Sequence, residues 1–236
     1  MQMNMVKLPT KQEDLYLRTV KGHFATSHSH INYYIDVTMQ KSRLSEAKAV
    51  AQALVSAYRT STVVDTILCL DGTEVIAACL ADDLTKDDFI NMNAHQTIYI
   101  VTPEHTSGSQ LLLRDNIIPM VKNKHVLILA ASVSTGYTAE KAVEAVRYYG
   151  GEVSGISAIF SSLDECEGFP VTSIFHTRDL PDYASYSARE CPFCKAGQKI
   201  DALANSYGYS TLYIFFGKTA RKRTPLPGHF SRFVMP

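Results

Sequence analysis

Residues 125–151 constrain the chain most: an apolar run, a turn of small residues and an amphipathic segment follow one another. Val126 to Ala131 is too short to span a membrane and β-branched enough to read as a buried strand of a sheet core. Ser134-Thr135-Gly136 is a turn. From about Thr138 a helix is predicted, with Ala142, Val143, Ala145, Val146 and Tyr149 on one face and Gly150-Gly151 closing it. Hydroxyls and a glycine before a helix make a seat for phosphate, because free backbone N–H groups and the positive end of the helix dipole both point there. A strand-turn-helix is also an ordinary part of α/β proteins. The rest of the chain has to decide between the two.

Further units of the same kind are legible. Thr10-Lys-Gln-Glu13 is a capping-box pattern followed by Leu15, Leu17 and Val20, which predicts a short helix over residues 11–20. Gly22 to Asp36 reads as a β-hairpin carrying Phe24, Tyr33 and Tyr34. Ser42 to Arg59 is amphipathic at helical spacing through Ala47, Val50, Ala51, Leu54, Val55 and Tyr58. A strand over Val63 to Leu70, the turn Asp71-Gly72-Thr73 and a helix carrying Val75, Ile76, Cys79 and Leu80 form a second strand-turn-helix. Strands are predicted at Thr97 to Thr102, Val153 to Phe160, Val171 to Thr177 and Thr211 to Phe216. Residues 103–116 read as a loop, Pro181-Asp182-Tyr183 as a turn, and Lys199 to Tyr207 as a short helix stopped at Gly208. Strands alternating with helices predict an α/β fold, a parallel-centred sheet flanked by helices, with ligands at the C-terminal ends of its strands.

A chain of 236 residues suits one domain. Its 23 basic and 23 acidic residues balance, so neither nucleic acid nor a membrane is an expected partner. The basic run Lys218 to Arg223 falls in a Pro-containing segment, 218–236, expected to be a loose, solvated tail. With no evident leader or span, and with five cysteines, an odd number for a secreted disulfide framework, a reducing cytoplasm is the expected compartment.

Two sets of residues raise a metal. His23, His28 and His30 lie close in sequence but have no acidic or cysteine partner beside them, and solvated or core-edge histidines are the expected case. Cys191-Pro-Phe-Cys194 is half of a zinc knuckle. For the other half Cys166, His176 or the same segment of a second subunit are candidates, while two cysteines packed around a turn is the favoured reading.

Val126 to Thr138 resembles the ribose-phosphate motif of the type I phosphoribosyltransferases: an apolar strand, two acidic residues, two apolar residues and a Thr/Gly-rich loop. On that motif Ser134, Thr135, Gly136, Tyr137 and Thr138 fall on the phosphate loop, and Ala130 and Ala131 occupy the places of the acidic pair that holds the ribose hydroxyls of phosphoribosyl pyrophosphate (PRPP). Gly22 to Asp36 is similar to the orotate type of the family, in which Phe24, Tyr33 and Tyr34 would line the base pocket.

The resemblance runs over roughly residues 10–210. It implies the type I fold as one domain over residues 1–217, with a small hood drawn from about 10–40 and 165–217. It also implies Mg2+ where the protein is catalytic, PRPP or another ribose-phosphate ligand, a homodimer, and a pyrophosphate-contacting turn at Asp71, Gly72 and Thr73. The implied activity is transfer of 5-phosphoribosyl from PRPP to a pyrimidine or related base. Three departures stand against strong chemistry. The acidic pair is absent, the 103–116 loop has no lysine and offers only His105 and Arg114 as cations, and Ser162 stands where the orotate type has an arginine. Their sum motivates the alternative, a catalytically silent relative that binds a phosphorylated ribose or nucleotide as a sensor.

Overall fold

A computed structural model of the chain describes residues 5–9, 15–106, 110–180 and 182–212. In chain order these form β1 (Met5–Pro9), β2 (Tyr16–Ala25), β3 (His30–Asp36), α1 (Thr38–Ser42) and α2 (Leu44–Val55). Next come β4 (Thr66–Cys69), α3 (Glu74–Thr85), β5 (Tyr99–Val101), β6 (Glu104–His105) and β7 (Leu111–Leu112). Then follow β8 (His125–Val133), α4 (Tyr137–Tyr148), β9 (Glu152–Ser161), β10 (Glu165–Cys166) and β11 (Phe169–His176). The last are β12 (Ser185–Tyr186), α5 (Pro192–Lys195), β13 (Ala202–Asn205) and β14 (Gly208–Thr211).

Among the described residues the central sheet has the order β10-β11-β9-β8-β4-β5, parallel throughout except for the edge strand β10. Strand β8 lies inside it and is covered on both faces, which is why its sequence is a continuous apolar run. Successive side chains alternate between faces. Leu127, Leu129 and Ala131 join the core under α2 and α3, while Val126, Ile128, Ala130 and Val133 join the core under α4. Helix α4 buries Ala139, Ala142, Val143, Ala145 and Val146 against that second core. The left-handed backbone at Gly150 follows its last turn.

A second sheet, β12-β3-β2-β13-β14 with β1 added on β2, forms a hood of mixed strand directions. Two predicted helices are overturned here. The helix expected over 11–20 has residues 10–14 outside the described set, and the remainder begins β2. Leu15 and Leu17 face one core and Val20 and Phe24 another, a period-2 pattern that tertiary pairing with β1 and β3 enforces. Lys199 to Tyr207 is not a helix. Ala202–Asn205 and Gly208–Thr211 pair antiparallel around a Ser206-Tyr207 turn, and Ala202 and Ala204 point into the hood core. The expected strand from Thr211 onward lies mostly outside the described residues, as does the tail 218–236.

Smaller differences follow the same physics. The helix expected from Ser42 is split at Arg43, whose extended backbone ends α1 and starts α2. The loop 103–116 holds the short hairpin β6–β7, with 107–109 outside the described residues. The C-terminal share of the hood starts near 185, because β10 and β11 belong to the central sheet.

A buried ion pair ties the hood to helix α2. Arg18 on β2 donates Nη1 and Nη2 to the Glu46 carboxylate on α2 at 2.6 and 2.8 Å, and both residues are buried.

Candidate functional site

The loops after β4 and β8 open at the C-terminal edge of the central sheet, beneath the hood, and a cleft of about 200 Å³ lies between them. Ser132, Ser134, Thr135, Tyr137 and Thr138 form one wall, and Asp71 stands beside them. The hood supplies the turn Thr26 to Ser29 together with Tyr33 and Tyr34. Phe160, Tyr183 and the β13–β14 turn at Asn205 and Ser206 complete the lining.

The β8–α4 loop is built as its sequence suggests. Gly136 is the N-cap of α4 at φ +83°, a backbone position that L side chains rarely adopt. A Cβ there would also lie 2.9 Å from Leu163 Cδ1. No side chain caps α4, so its first-turn amides are left to a ligand or to water. Ser134 and Thr135 are exposed toward the cleft. Ser162 is not among the residues that line the cleft. Its backbone N–H donates to Val133 O at 2.8 Å and its hydroxyl donates to Ser134 O, so it braces the loop from behind. Cys166 lies on the same rear side, with its thiol 3.8 Å from Gly136 O.

The β4–α3 turn is strained in a similar way. Asp71 and Gly72 are both left-handed, at φ +59° and +79°. Thr73 is fully buried and donates its hydroxyl to Leu70 O and Leu129 O at 2.9 and 3.0 Å, which fixes the turn to the end of β8. Sequence reasoning missed Lys41, whose ammonium donates to Asp71 O at 2.6 Å and to Ser206 O at 2.7 Å. Burial lowers its pKa, while Asp71, Glu74 and Asp36 act to raise it. Lys41 therefore laces the turn to the hood. It sits one residue before the predicted amphipathic helix, where nothing in the pattern marks a buried cation.

Of the three predicted base-pocket aromatics, Tyr33 and Tyr34 reach the cleft. Phe24 does not. It is fully buried in the hood core behind Tyr34, with ring centroids 5.9 Å apart. Burial, with Asp36 and Tyr209 nearby, pushes the Tyr34 phenol up to about 12, and burial alone does the same for Tyr183. Both stay neutral and keep an O–H to donate. His28, expected to be solvated, reaches across from the hood to Tyr137 with ring centroids 4.8 Å apart.

Ala130 and Ala131 do not touch the cleft. They are buried in the two apolar cores on either side of β8. No lysine or arginine lines the cleft among the described residues, and Asp71 is its one carboxylate there. Arg114 pairs with Glu104 across the β6–β7 hairpin at 2.9 and 2.6 Å, and His105 lies on the same hairpin.

The metal candidates are redistributed. Cys166 and His176 do not approach Cys191 or Cys194. Cys166 backs the β8–α4 loop, and His176 lies beside Ser173 and caps a single turn at Thr177–Asp179. His23 is neither solvated nor at the core edge but fully buried, and it faces Cys191 and Cys194. Residues about 170 apart in sequence carry no local signal of this.

An α/β protein with a glycine-turned loop at an uncapped helix start under a β hood is the class these features define. No family model matches the chain. In sequence it resembles the orotate phosphoribosyltransferases. The protein of that name from Sulfurimonas denitrificans is 23% identical over 192 residues, 76% of this chain and 89% of the relative. The one from Caldanaerobacter subterraneus subsp. tengcongensis is 34% identical over 76 residues, 32% of this chain and 39% of the relative.

Solved structures of similar shape include the orotate phosphoribosyltransferase of Mycobacterium tuberculosis with inorganic phosphate, at 17% identity and a TM-score of 0.45. That likeness covers 63% of this chain and 80% of that one. The adenine phosphoribosyltransferase of Leishmania tarentolae is 18% identical with a TM-score of 0.48, covering 64% and 80%. Likeness at this level gives no residue correspondence. No helix among the described residues is long and apolar enough to cross a membrane.

Proposed function

We propose that the cleft binds a ribose 5-phosphate compound, PRPP in the first instance, and that the protein is a phosphoribosyltransferase-like enzyme acting on a pyrimidine or related base. The observation that carries this reading is convergence. The Ser134–Thr138 loop, Asp71 and the Tyr33–Tyr34 pair lie far apart in sequence and line one cleft. The 5-phosphate sits on the uncapped start of α4, where amides and the Ser134 and Thr135 hydroxyls supply donors. The base lies toward the hood, against the ring faces of Tyr33 and Tyr34. Tyr34 and Tyr183 offer neutral hydroxyls to its polar edge.

In the reaction the ribose carbon becomes cationic as pyrophosphate leaves, and a base nitrogen attacks it. The chain's part is to hold both partners in line and keep water out. Mg2+, which the resemblance implies, has one donor of the kind it takes on this cleft, Asp71, and one carboxylate with ligand phosphates and water is a sufficient set. Asp71 would hold it, and it would supply charge neutralisation for the leaving pyrophosphate.

A second reading has its own support. The buried alanines at 130 and 131, and a lining with no lysine or arginine among the described residues beyond Lys41 held behind Asp71 and Ser206, favour a binder that senses the ligand without turning it over. Purified protein with PRPP, Mg2+ and a panel of bases separates the two. Nucleotide formation supports transfer. Saturable PRPP binding with no product supports the sensor, and the absence of both overturns the cleft assignment.

A further inference from the structure

We infer that His23, His30, Cys191 and Cys194 form a structural zinc site that clamps the hood. The four ligand atoms all lie within 4.8 Å of one another. His23 Nε2 is 3.1 Å from His30 Nδ1, 3.5 Å from Cys191 Sγ and 3.6 Å from Cys194 Sγ, and His30 Nδ1 is 3.3 Å from Cys194 Sγ. A tetrahedral zinc with bonds of about 2.0–2.1 Å to nitrogen and 2.3 Å to sulfur sets ligand-to-ligand edges of roughly 3.3–3.8 Å. The cluster therefore has nearly the dimensions of an assembled site.

Hydrogen bonding alone does not account for it. The Nδ1 of His23 lies 3.1 and 3.2 Å from the carbonyl oxygens of Gln198 and Lys199, to which only an N–H can donate. That fixes the tautomer and leaves Nε2 as a lone pair aimed at the other three atoms. One lone pair cannot serve an imidazole nitrogen and two thiols at once. A metal serves all four. The carbonyl contacts are of the kind that orient a ligating histidine. Two thiolates and two imidazoles suit zinc, while magnesium and calcium take oxygen. The cysteines are not bridged to each other.

The local fold supplies the rest. Cys191 starts the single-turn helix α5, and Cys194 stands on its outer side near the surface. The left-handed Gly197 then turns the chain back toward β2. There His23 N–H donates to Asp201 Oδ2 and Asp201 N–H donates to His23 O, both at 2.8 Å. All four ligands come from protein, which leaves no open position for chemistry, so the role is structural. Its consequence is positional. His23 and His30 lie on either side of the turn Thr26–Ser29, which lines the cleft. The inference rests on the cluster alone and holds whatever the cleft binds.

The test is metal analysis of the full chain expressed with zinc supplied, together with cobalt reconstitution and the single variants Cys194→Ser and His30→Ala. Cys194 is at the surface, so its replacement removes a ligand without opening the core. The expected result is one zinc per chain, a cobalt spectrum with tetrahedral d–d and thiolate charge-transfer bands, and loss of both in each variant. Chelation is expected to speed amide exchange over 23–30 and 187–205 while β8 and β9 stay protected. Substoichiometric zinc with no thiolate band for cobalt, or a disulfide between Cys191 and Cys194 in freshly purified protein, overturns the site.

Discussion

The two walls of the cleft are held by different physics. The lower wall, at the ends of β4 and β8, rests on two apolar cores that cover the central sheet on both faces. Its loops are shaped by backbone: left-handed residues at 71, 72 and 136, with Thr73 and Ser162 bracing them from behind. The upper wall is a hood with a small core of Val20, Phe24, Tyr34, Ala202 and Ala204. Polar cross-ties supplement that core: the Arg18–Glu46 pair, Lys41, and the cluster of two histidines and two cysteines. Apolar burial spreads the support of the lower wall over many contacts. The upper wall adds a few polar pairs to that small core and to the contact of Leu15 and Leu17 with the larger one.

The largest effect is expected at the ion pair. Glu46→Leu leaves a buried guanidinium without its partner, and a loss of about 3–5 kcal/mol is expected. Chemical denaturation measures it. The double variant Arg18→Met with Glu46→Leu is expected to recover most of that loss, because the pair's role is to avoid an uncompensated charge. If Glu46→Leu were neutral, the hood would not depend on cross-ties and the contrast between the walls would fail.

Next is Gly136→Val. Forcing a β-branched residue into the left-handed region costs about 1–3 kcal/mol, and the new Cβ meets Leu163. A modest fall in thermal stability is expected together with loss of phosphate-ligand binding. Retained binding would move the site off this loop.

Thr73→Val removes the hydroxyl that Leu70 O and Leu129 O share; Leu129 O keeps the Leu70 N–H as donor, and a cost of about 1–3 kcal/mol is expected. An urea titration reads the change. The smallest effect is in acid. Burial raises the Asp65 pKa, but the backbone N–H and ring of His125, with Lys124 nearby, outweigh it and hold the carboxyl below 3.8. A depressed carboxylate contributes stability that is present above its unfolded value and lost as pH falls through the lower folded value. Asp65→Asn is therefore expected to lose stability near neutrality, to approach the parent as pH falls below about 4, and to converge with it only below the lower folded value.

The central sheet was the legible part of the chain. A buried parallel strand must be apolar on both faces, and a helix covering it must repeat at 3.6 residues, so β8, α4 and the loop between them are written locally. The same holds for β4, α3 and the turn Asp71–Thr73, although the expected strand edges were longer than the observed ones and Val75 is exposed rather than buried.

The hood was legible only in part: the hairpin expected over Gly22 to Asp36 is present as β2 and β3, but its other strands are specified by partners far away. Leu15, Leu17 and Val20 fit a helix or a strand, and pairing with β1 and β3 decides. Ala202 and Ala204 have good helix propensity, yet their place against Phe24 and Tyr34 makes a hairpin. At the site, Tyr33, Tyr34, Asp71 and Ser134, Thr135, Tyr137 and Thr138 were named from sequence and line one cleft. Phe24 supports the cleft from behind, and Lys41, His28 and Tyr183 emerge only in three dimensions.

The most direct test of the cleft is isothermal calorimetry of the intact chain with PRPP and with ribose 5-phosphate, run beside Gly136→Val. Saturable heat from the parent and none from a folded variant is the expected result. No heat from the parent with either ligand, or equal heat from both proteins, would contradict it.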